Sequence, residues 1–360
     1  MKNYRSYRFV RSTAAVLTAL ILVSCSSLSY YGQSISGQLE ILSKRRPLAQ
    51  IIADPATSPR QLDKFRQVLE LRDFASRRLG LPDNNSFRSY VRLNRPYVVW
   101  NVVATPEFSL DPVQWCFLVV GCLPYRGYFH RAAALQFAAR LKAQGYDVQT
   151  GGVSAYSTLG WFDDPVLSTM LNRDITDTAR IIFHELAHQH TYVKNDADFN
   201  EAFADTVAQI GVRLWLTDTG KMKELARFDR EQAHEREFFH LVEEYKTRLN
   251  GLYRSRLTFD EKRARKSAIF KQMIQDYHGM RSHWGSDHAY DDWFDQGLNN
   301  ARLATVLTYR NLVPAFLSLY ETLGRDFPRF YQRVGELAQC PPSLRKHYLE
   351  TGQAPRDCGK

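Results

Sequence analysis

The chain has 360 residues, of which 44% are apolar, and a formal net charge of +10. This apolar content is enough for one large folded domain or two smaller ones, and it excludes a chain that is disordered throughout. The positive charge includes no dense run of lysine and arginine among aromatic residues, so we expect no nucleic-acid partner.

The first 24 residues have the pattern of a secretory signal peptide. Residues 1–11 are basic, and residues 12–23 form an apolar run that is too short for an ordinary membrane span. The run leads into Leu-Val-Ser-Cys25, which resembles a bacterial lipobox, in which the cysteine is lipidated. Ser26 follows it, and by resemblance to bacterial sorting rules we expect a lipid anchor in the outer membrane, facing the periplasm. An uncleaved anchor, or a secretory signal with an incidental Cys25, is the alternative.

Helical periodicity predicts an N-terminal helical hairpin over residues 25–82. Asp54-Pro55 separates its two helices, and Gly80 ends the second one. The residues that follow are rich in β-branched and aromatic side chains, which favour strands. The predicted elements are strands near 90–93, 97–104 and 146–150, a loop over 115–129 and a helix over 130–144. A short strand at 128–129 is an alternative for the end of the loop.

From residue 166 onward the pattern is almost entirely helical. Asp174 or Thr176 is predicted to cap the first of these helices, and Asp196 or Asp198 the second, which covers residues 199–216. Longer amphipathic helices are predicted after these two. They cover residues 224–253, 258–283 and 298–338, the last with breaks at Pro314 and Pro328.

Four cysteines follow Cys25 in the sequence, and an even number in an oxidising compartment predicts two disulfides. Among the three possible connectivities we favour the local pairs, Cys116–Cys122 and Cys340–Cys358. Free buried thiols are the alternative. The four lack the CxxC spacing of a zinc ribbon, so no metal is assigned to them.

The segment His184-Glu185-Leu-Ala-His188 lies in an apolar helical run. Residues four apart on a helix face the same way, so His184 and His188 can direct two imidazoles at one ion. Glu185 lies at the edge of that face, where it can act as a base toward a water that the metal activates. Ionisable groups on a buried face require an explanation, and one bound zinc ion supplies it. A hydrogen-bonded or solvated helix face is the alternative.

A catalytic zinc ion needs a third protein ligand, and Glu201 is the best candidate. It lies 13 positions after His188, which lets one helix end and a second return antiparallel. Asp205 lies one turn further and is predicted to accept a hydrogen bond from a ligand imidazole. Alternatively, Asp198 and Glu201 form a capping box at the helix start. The rival third ligands are His190, Asp196 and Asp198.

The pair of motifs His184-Glu185-x-x-His188 and Asn200-Glu201-Ala-x-x-Asp205 resembles the gluzincin metallopeptidases. More specifically, nearly the whole mature chain resembles a bacterial family of zinc aminopeptidase lipoproteins. Its other shared motifs are Tyr30-Tyr-x-Gln33, Cys122-x-Pro-Tyr125-Arg-Gly127-Tyr, Gly152-Val-x-Ala-Tyr156-Ser-Thr158-Leu-Gly160-Trp161-Phe, and Asn299-Asn300-Ala-x-Leu303 with Tyr309.

This resemblance implies zinc bound by His184, His188 and Glu201, with Glu185 as the base. The gap between His188 and Glu201 is shorter than in thermolysin-like enzymes, so their substrate-binding residues cannot be transferred by position. Together with the element order, the resemblance implies an α+β, zincin-like fold, mostly helical with a small mixed sheet beside the metal helix. The expected domain covers residues 83–360, with the sheet in 86–160, the zinc helices in 174–217 and a helical body in 224–340.

Residues 152–158 alternate small and polar side chains just before the metal helix. Zincins hold the substrate backbone on an edge strand there, and glycines let a peptide approach closely. We therefore expect Gly152, Val153, Ala155 and Tyr156 to bind substrate. A plain loop is the alternative.

An oxyanion donor is expected beside the zinc ion. Tyr309 is the first choice and Tyr156 the second, although a tyrosine on an apolar helix is often a core residue. Asn300 is predicted to contact substrate. Alternatively, Asn299 and Asn300 cap the helix that follows them.

These features predict a lipid-anchored zinc metallopeptidase that acts on peptides in the bacterial envelope, and the resemblance implies an aminopeptidase. An endopeptidase or cell-wall peptide hydrolase is one alternative. A non-catalytic envelope lipoprotein with a structural metal site is another. An aminopeptidase needs an acidic group for the substrate amine, and the candidates are Asp163, Asp164, Asp291 and Asp292.

Overall fold

A computed structural model describes residues 30–117, 120–155, 157–310 and 312–352 of the chain, without the side chains of residues 308–310. In this part the fold is α+β, mostly helical with small sheets. Three of the predicted residues, Cys25, Tyr156 and Cys358, lie outside the described residues, as does the side chain of Tyr309.

The N-terminal part contains three helices and one short strand. Ser58 precedes a proline at the first helical position of the third helix, and Gly80 ends that helix in the left-handed conformation at φ 67°. Pro47 lies in the strand, which pairs with residues 89–90. The elements are α1 (30–43), β1 (Arg46–Pro47), α2 (Leu48–Ala53) and α3 (Pro59–Leu79).

Helix α1 packs against the chain at residue 129. The side chain of Gln33 accepts a hydrogen bond from the backbone N–H of Phe129 at 3.0 Å. A Cβ atom at Gly37 would lie 2.2 Å from the Phe129 ring, so only glycine allows this approach. Arg95 and Glu40 form an ion pair at 2.9 Å. Helix α1 is therefore attached to the sheet region by contacts along its length.

Residues 89–167 form strands and one helix. The strands are β2 (Ser89–Val91), β3 (Val99–Thr105), β4 (Trp115–Phe117), β5 (Gly121–Leu123), β6 (Arg126–Tyr128), β7 (Asp147–Val153) and β8 (Val166–Leu167), with α4 (Arg131–Ala143) between β6 and β7. The strand orders are β1-β2-β8, β6-β3-β7 and β4-β5. Among the strand pairs of the described residues, only β2–β8 is parallel.

The prediction of a loop over residues 115–129 is wrong. Strands β4 and β5 form a hairpin in which Cys116 lies opposite Cys122, and the predicted disulfide joins these two residues. Strand β6 pairs with β3, far away in sequence. Such pairing depends on distant strands, which local propensity does not record. Cys340 is buried, and its predicted partner lies outside the described residues, so that pair stays a prediction.

The second half of the chain is helical, as predicted. Asp174 caps α5 by accepting a hydrogen bond from the N–H of Asp177, and Asp196 caps α6 in the same way at Phe199. Pro314 and Pro328 lie in the first turns of two late helices, where proline is tolerated. The helices are α5 (Ile175–His190), α6 (Ala197–Asp218), α7 (Met222–Arg254), α8 (Phe259–Arg281), α9 (Asp291–Asp295), α10 (Asn300–Arg310), α11 (Val313–Thr322), α12 (Phe327–Ala338) and α13 (Pro342–Thr351).

Helices α5 and α6 pack against each other in the largest buried core of the described chain. Their contacting faces are apolar and include Phe183, Ala187 and Ala204, all fully buried. A Cβ atom at Gly211 would lie 2.6 Å from Leu79 and 2.8 Å from Phe183. The close approach of α3, α5 and α6 therefore requires glycine at this position. No helix in the described ranges has the length and apolarity needed to cross a membrane.

Arg345 connects α13 to the start of α6. It is 2% exposed and donates hydrogen bonds to the Asp196 carboxylate at 2.6 and 3.0 Å, and to the carbonyl of Cys340 at 3.0 Å. Replacing Arg345 with methionine is expected to lower the free energy of unfolding by about 3–5 kcal/mol, because the partners of the charge are left unpaired. Urea unfolding measures this. Lys346→Met, at an exposed neighbour, should change it by less than about 0.5 kcal/mol; equal losses would contradict the assignment.

Candidate metal centre

His184, His188 and Glu201 bring their ligand atoms together within 4.8 Å of one another. The Nε2 atoms of the two histidines are 3.0 Å apart. Oε2 of Glu201 lies 3.3 Å from Nε2 of His184 and 3.7 Å from Nε2 of His188. Two imidazole nitrogens and one carboxylate oxygen, converging on one point, are a donor set that suits a catalytic metal ion with one further position open. These three residues could therefore hold a metal ion.

The turn between α5 and α6 places Glu201 opposite the two histidines. Asn195 adopts the left-handed conformation at φ 66°, which reverses the chain. The side chain of Asn200 donates to the carbonyl of Val193 at 2.8 Å and accepts from its N–H at 2.7 Å. Since Asp196 caps α6, the Glu201 carboxylate is not used in a capping box with Asp198.

The electrostatics of the three ligands favour an ionised Glu201. Burial raises the pKa of this carboxyl, but the charge of His188 and hydrogen bonds with both histidines outweigh burial and hold the pKa at about 2. Burial lowers the pKa of His184, and its hydrogen bond with Glu201 outweighs that effect and raises it. A carboxylate that stays charged at neutral pH is available as a metal ligand.

Glu185 lies beside the ligands and lines the same cavity. Burial raises the pKa of its carboxyl; the neighbouring histidines oppose this, and the charges of Glu201 and Asp164 add to it. A raised pKa brings the group closer to neutral pH, where a general base can accept a proton and release it again.

The four residues face a cavity of about 770 Å³, a size typical of ligand pockets. Its walls come from α1, the strands β3, β4, β5, β6 and β7, the chain after β7, and the helices α5 and α6. Besides the four, the lining residues are Tyr30, Tyr31, Ser34, Gln38, Val99, Asn101, Phe117, Val120, Leu123, Tyr125, Gly127, Phe129, Val153, Ala155, Ser157, Thr158, Leu159, Trp161, Phe162, Tyr192, Ala197 and Asn200.

The predicted substrate segment is partly an edge strand. Within the part of the chain that the structure describes, strand β7 pairs with β3 alone and ends at Val153, and Val153 and Ala155 line the cavity. Gly152 is not in the lining, and a Cβ atom there would lie 2.1 Å from the Tyr97 ring. Its lack of a side chain therefore serves packing against Tyr97.

Two further predicted residues form hydrogen bonds that the sequence did not predict. Asp205 accepts a hydrogen bond from Arg180 at 3.1 Å, and its charge contributes to the raised pKa of His184. The buried Nδ1 of His188 has no hydrogen-bond partner within the described ranges. The amide of Asn300 is fully buried and donates to the carbonyls of Glu107 and Ser109, so the structure places it away from the cavity.

The sequence interpretation did not identify Tyr125 as a site residue. Tyr125 lines the cavity with the metal-ligand group, and no hydrogen bond joins its hydroxyl to another described residue. Burial raises the pKa of this phenol, and the charges of Glu201 and Glu185 raise it further. The phenol therefore stays protonated and can donate a hydrogen bond. Its place in the motif Cys122-x-Pro-Tyr125 was the available signal.

Comparison with curated proteins and with solved structures finds no match. Residues 29–349 match the model of a family described as "Putative aminopeptidase", and this description supports a peptidase-like function. The match covers most of the 360-residue chain. The chain therefore belongs to this aminopeptidase family.

Proposed function

We propose that the protein is a zinc-dependent peptidase with a zincin-like active site. The observation that carries this proposal is the convergence of His184, His188 and Glu201 beside a fourth ionisable group, Glu185, at the wall of one cavity. A structural zinc site needs only ligands and closes its fourth position. A free carboxylate and an open cavity beside three ligands favour catalysis over the non-catalytic alternative.

The reaction is hydrolysis of a peptide bond, in which water adds its oxygen to the carbonyl carbon and its protons pass to the products. When bound, zinc polarises a carbonyl and acidifies a water. Glu185 accepts a proton from the attacking water and passes it to the amine that leaves. The products are a carboxylate and an amine, and no other reactant is consumed.

Tyr125 is the residue that we propose as donor to the developing oxyanion. Tyr125 lines the same cavity as the metal ligands, and burial together with the charges of Glu201 and Glu185 raises the pKa of its phenol, so that it keeps its proton. A donor already in place when charge develops stabilises the transition state more than the ground state. Tyr309 and Tyr156, the residues predicted for this role, stay as alternatives. Asp205 acts through His184, whose pKa its charge helps to raise.

The location of the enzyme is also part of the proposal. Cys25 carries the lipid anchor, and the folded part lies in the periplasm beside the outer membrane. The segment before residue 25 is removed, residues 25–82 accompany a peptidase domain over 83–360, and the substrate is a peptide of the envelope. Mass spectrometry of the mature N-terminus tests this, since an unmodified Cys25 contradicts the anchor.

Removal of the metal tests the proposed chemistry. The full-length protein is incubated with a chelator, dialysed and assayed on a peptide mixture by mass spectrometry. We expect cleavage to be lost and then restored by about one equivalent of zinc per chain. Calcium, which prefers oxygen ligands, should not restore it. Cleavage that continues in the metal-free protein would contradict the proposal.

A further inference from the structure

The cavity carries very few charges. Every aspartate and glutamate of the sequence except Asp357 lies in the described ranges. Of these, only Glu185 and Glu201 line the cavity, and among the described residues its only other ionisable groups besides tyrosines are His184 and His188. The carboxylates of the cavity are therefore those of the proposed base and metal ligand.

The other candidate acids are engaged elsewhere or lie outside the lining. Asp164 is 4% exposed and accepts hydrogen bonds from Ser157 at 3.1 Å, Thr158 at 2.7 Å and Gln189 at 3.1 Å. Asp291 pairs with Arg281 at 2.8 Å and accepts a hydrogen bond from the hydroxyl of Tyr277 at 2.5 Å. Neither carboxylate is available to bind a substrate amine.

The exposed Asp163 is the remaining candidate near the cavity. Its neighbour Phe162 lines the cavity, but Asp163 does not. Its backbone carbonyl accepts a hydrogen bond from Arg45 at 2.9 Å, which attaches this loop to the end of α1. Asp163 is therefore the alternative candidate for binding the substrate amine.

Much of the rest of the cavity wall is aromatic or aliphatic. Trp161 and Phe162 are 70% and 47% exposed. They belong to the loop in which the Asp164 carboxylate accepts a hydrogen bond from Thr158. On other walls lie Phe117, Leu123 and Phe129. Large exposed aromatics beside a concave apolar surface are typical of sites that bind apolar side chains.

We infer that this site selects peptides by a large apolar side chain next to the scissile bond and does not recognise a free α-amine by charge. This inference rests on the proposed peptidase function. Moving an ammonium group from water into an apolar cavity without an acidic partner is costly. Peptides with a blocked N-terminus, and internal bonds of longer peptides, are therefore substrates as well as peptides with a free amine.

Matched peptides that differ only in N-acetylation test the inference. The full-length, zinc-loaded protein is assayed on a peptide that begins with leucine and on its N-acetyl form. We expect kcat/KM values within about tenfold of each other, whereas a site built to bind the amine rejects the blocked form by roughly 10⁴-fold. A preference of more than about tenfold for the free amine would overturn the inference. Aspartate in place of leucine should lower kcat/KM about 100-fold.

Substitutions distinguish the role of residues in the cavity wall from that of residues outside it. Trp161→Ala should raise KM for the leucine peptide about tenfold with little change in kcat, because it removes apolar contact area. Met222→Ala, at a residue on α7 that is 59% exposed, should change neither constant. Asp163→Asn should leave the ratio between free and acetylated peptides unchanged. A selective loss of activity on the free peptide in Asp163→Asn would show that this carboxylate binds the amine and overturn the inference.

A binding measurement separates failure of the inference from failure of the proposed function. Calorimetry compares both peptides on the zinc-loaded Glu185→Gln variant, which keeps the cavity but lacks the proposed base. Equal binding supports the inference even if no peptide is cleaved, and more than about tenfold tighter binding of the free amine overturns it. Absence of cleavage by the zinc-loaded parent counts against the peptidase chemistry alone.

Discussion

Replacing Glu185 with glutamine is expected to lower kcat roughly 10²–10⁴-fold, the range by which general bases accelerate such reactions. The amide has nearly the same shape as the carboxylate but cannot accept the proton of the attacking water. His184, His188 and Glu201 are unchanged in this variant, so metal binding should persist. Peptide cleavage and metal content are measured on the same preparation.

A matched control is Glu70→Gln, at an exposed residue on α3. It makes the same chemical change away from the cavity and should leave kcat unaltered. If Glu185→Gln retained full activity, another group would have to act as the base. If it lost its metal, Glu185 would belong to the ligand set and the proposed roles would be wrong.

Removing the hydroxyl oxygen of Tyr125 is expected to cause the second-largest decrease in kcat. Tyr125→Phe keeps the ring in the cavity wall and deletes the hydroxyl that we propose as oxyanion donor. Loss of one such donor costs about 10²–10³-fold in kcat. KM should change little, because the donor acts mainly in the transition state. Steady-state kinetics on one apolar peptide separates the two constants.

Tyr192→Phe is the appropriate comparison. Tyr192 also lines the cavity, but its hydroxyl already donates to the carbonyl of Val120 at 3.0 Å. Its loss should therefore affect kcat far less than the loss of the Tyr125 hydroxyl. A large decrease in kcat for Tyr309→Phe, with none for Tyr125→Phe, would return the role to the residue predicted from sequence.

The helices were predictable because their signals are local. Capping residues, apolar spacing and helix-ending glycines lie within a few positions of the elements that they define. The grouping of His184, His188 and Glu201 follows the same logic, since one helical turn separates the histidines and a short turn reverses the chain. The disulfide between Cys116 and Cys122 was predicted, but the β4–β5 hairpin that it joins was not, because strand pairing is not contained in the propensities of single residues.

The cavity was less predictable than its metal ligands. Its walls combine residues that are far apart in sequence, such as Tyr30, Tyr125 and Trp161. Their positions at one cavity depend on the packing of α1 at Phe129. The sequence predicted α1 only as part of an N-terminal hairpin, without a role at the site. In the structure, Tyr30 and Tyr31 of α1 line the cavity. Similarly, Asn300 was predicted to contact substrate, whereas its side-chain amide donates hydrogen bonds to the carbonyls of Glu107 and Ser109.

Metal content is the most direct test of the central claim, that His184, His188 and Glu201 bind one catalytic zinc ion. Elemental analysis is applied to full-length protein purified without added chelator, beside Glu185→Gln and His188→Ala. We expect about one zinc ion per chain in the parent and in Glu185→Gln, and a large loss in His188→Ala. A parent that contains no zinc and binds none on addition, or a His188→Ala protein that keeps the full amount, would contradict the account.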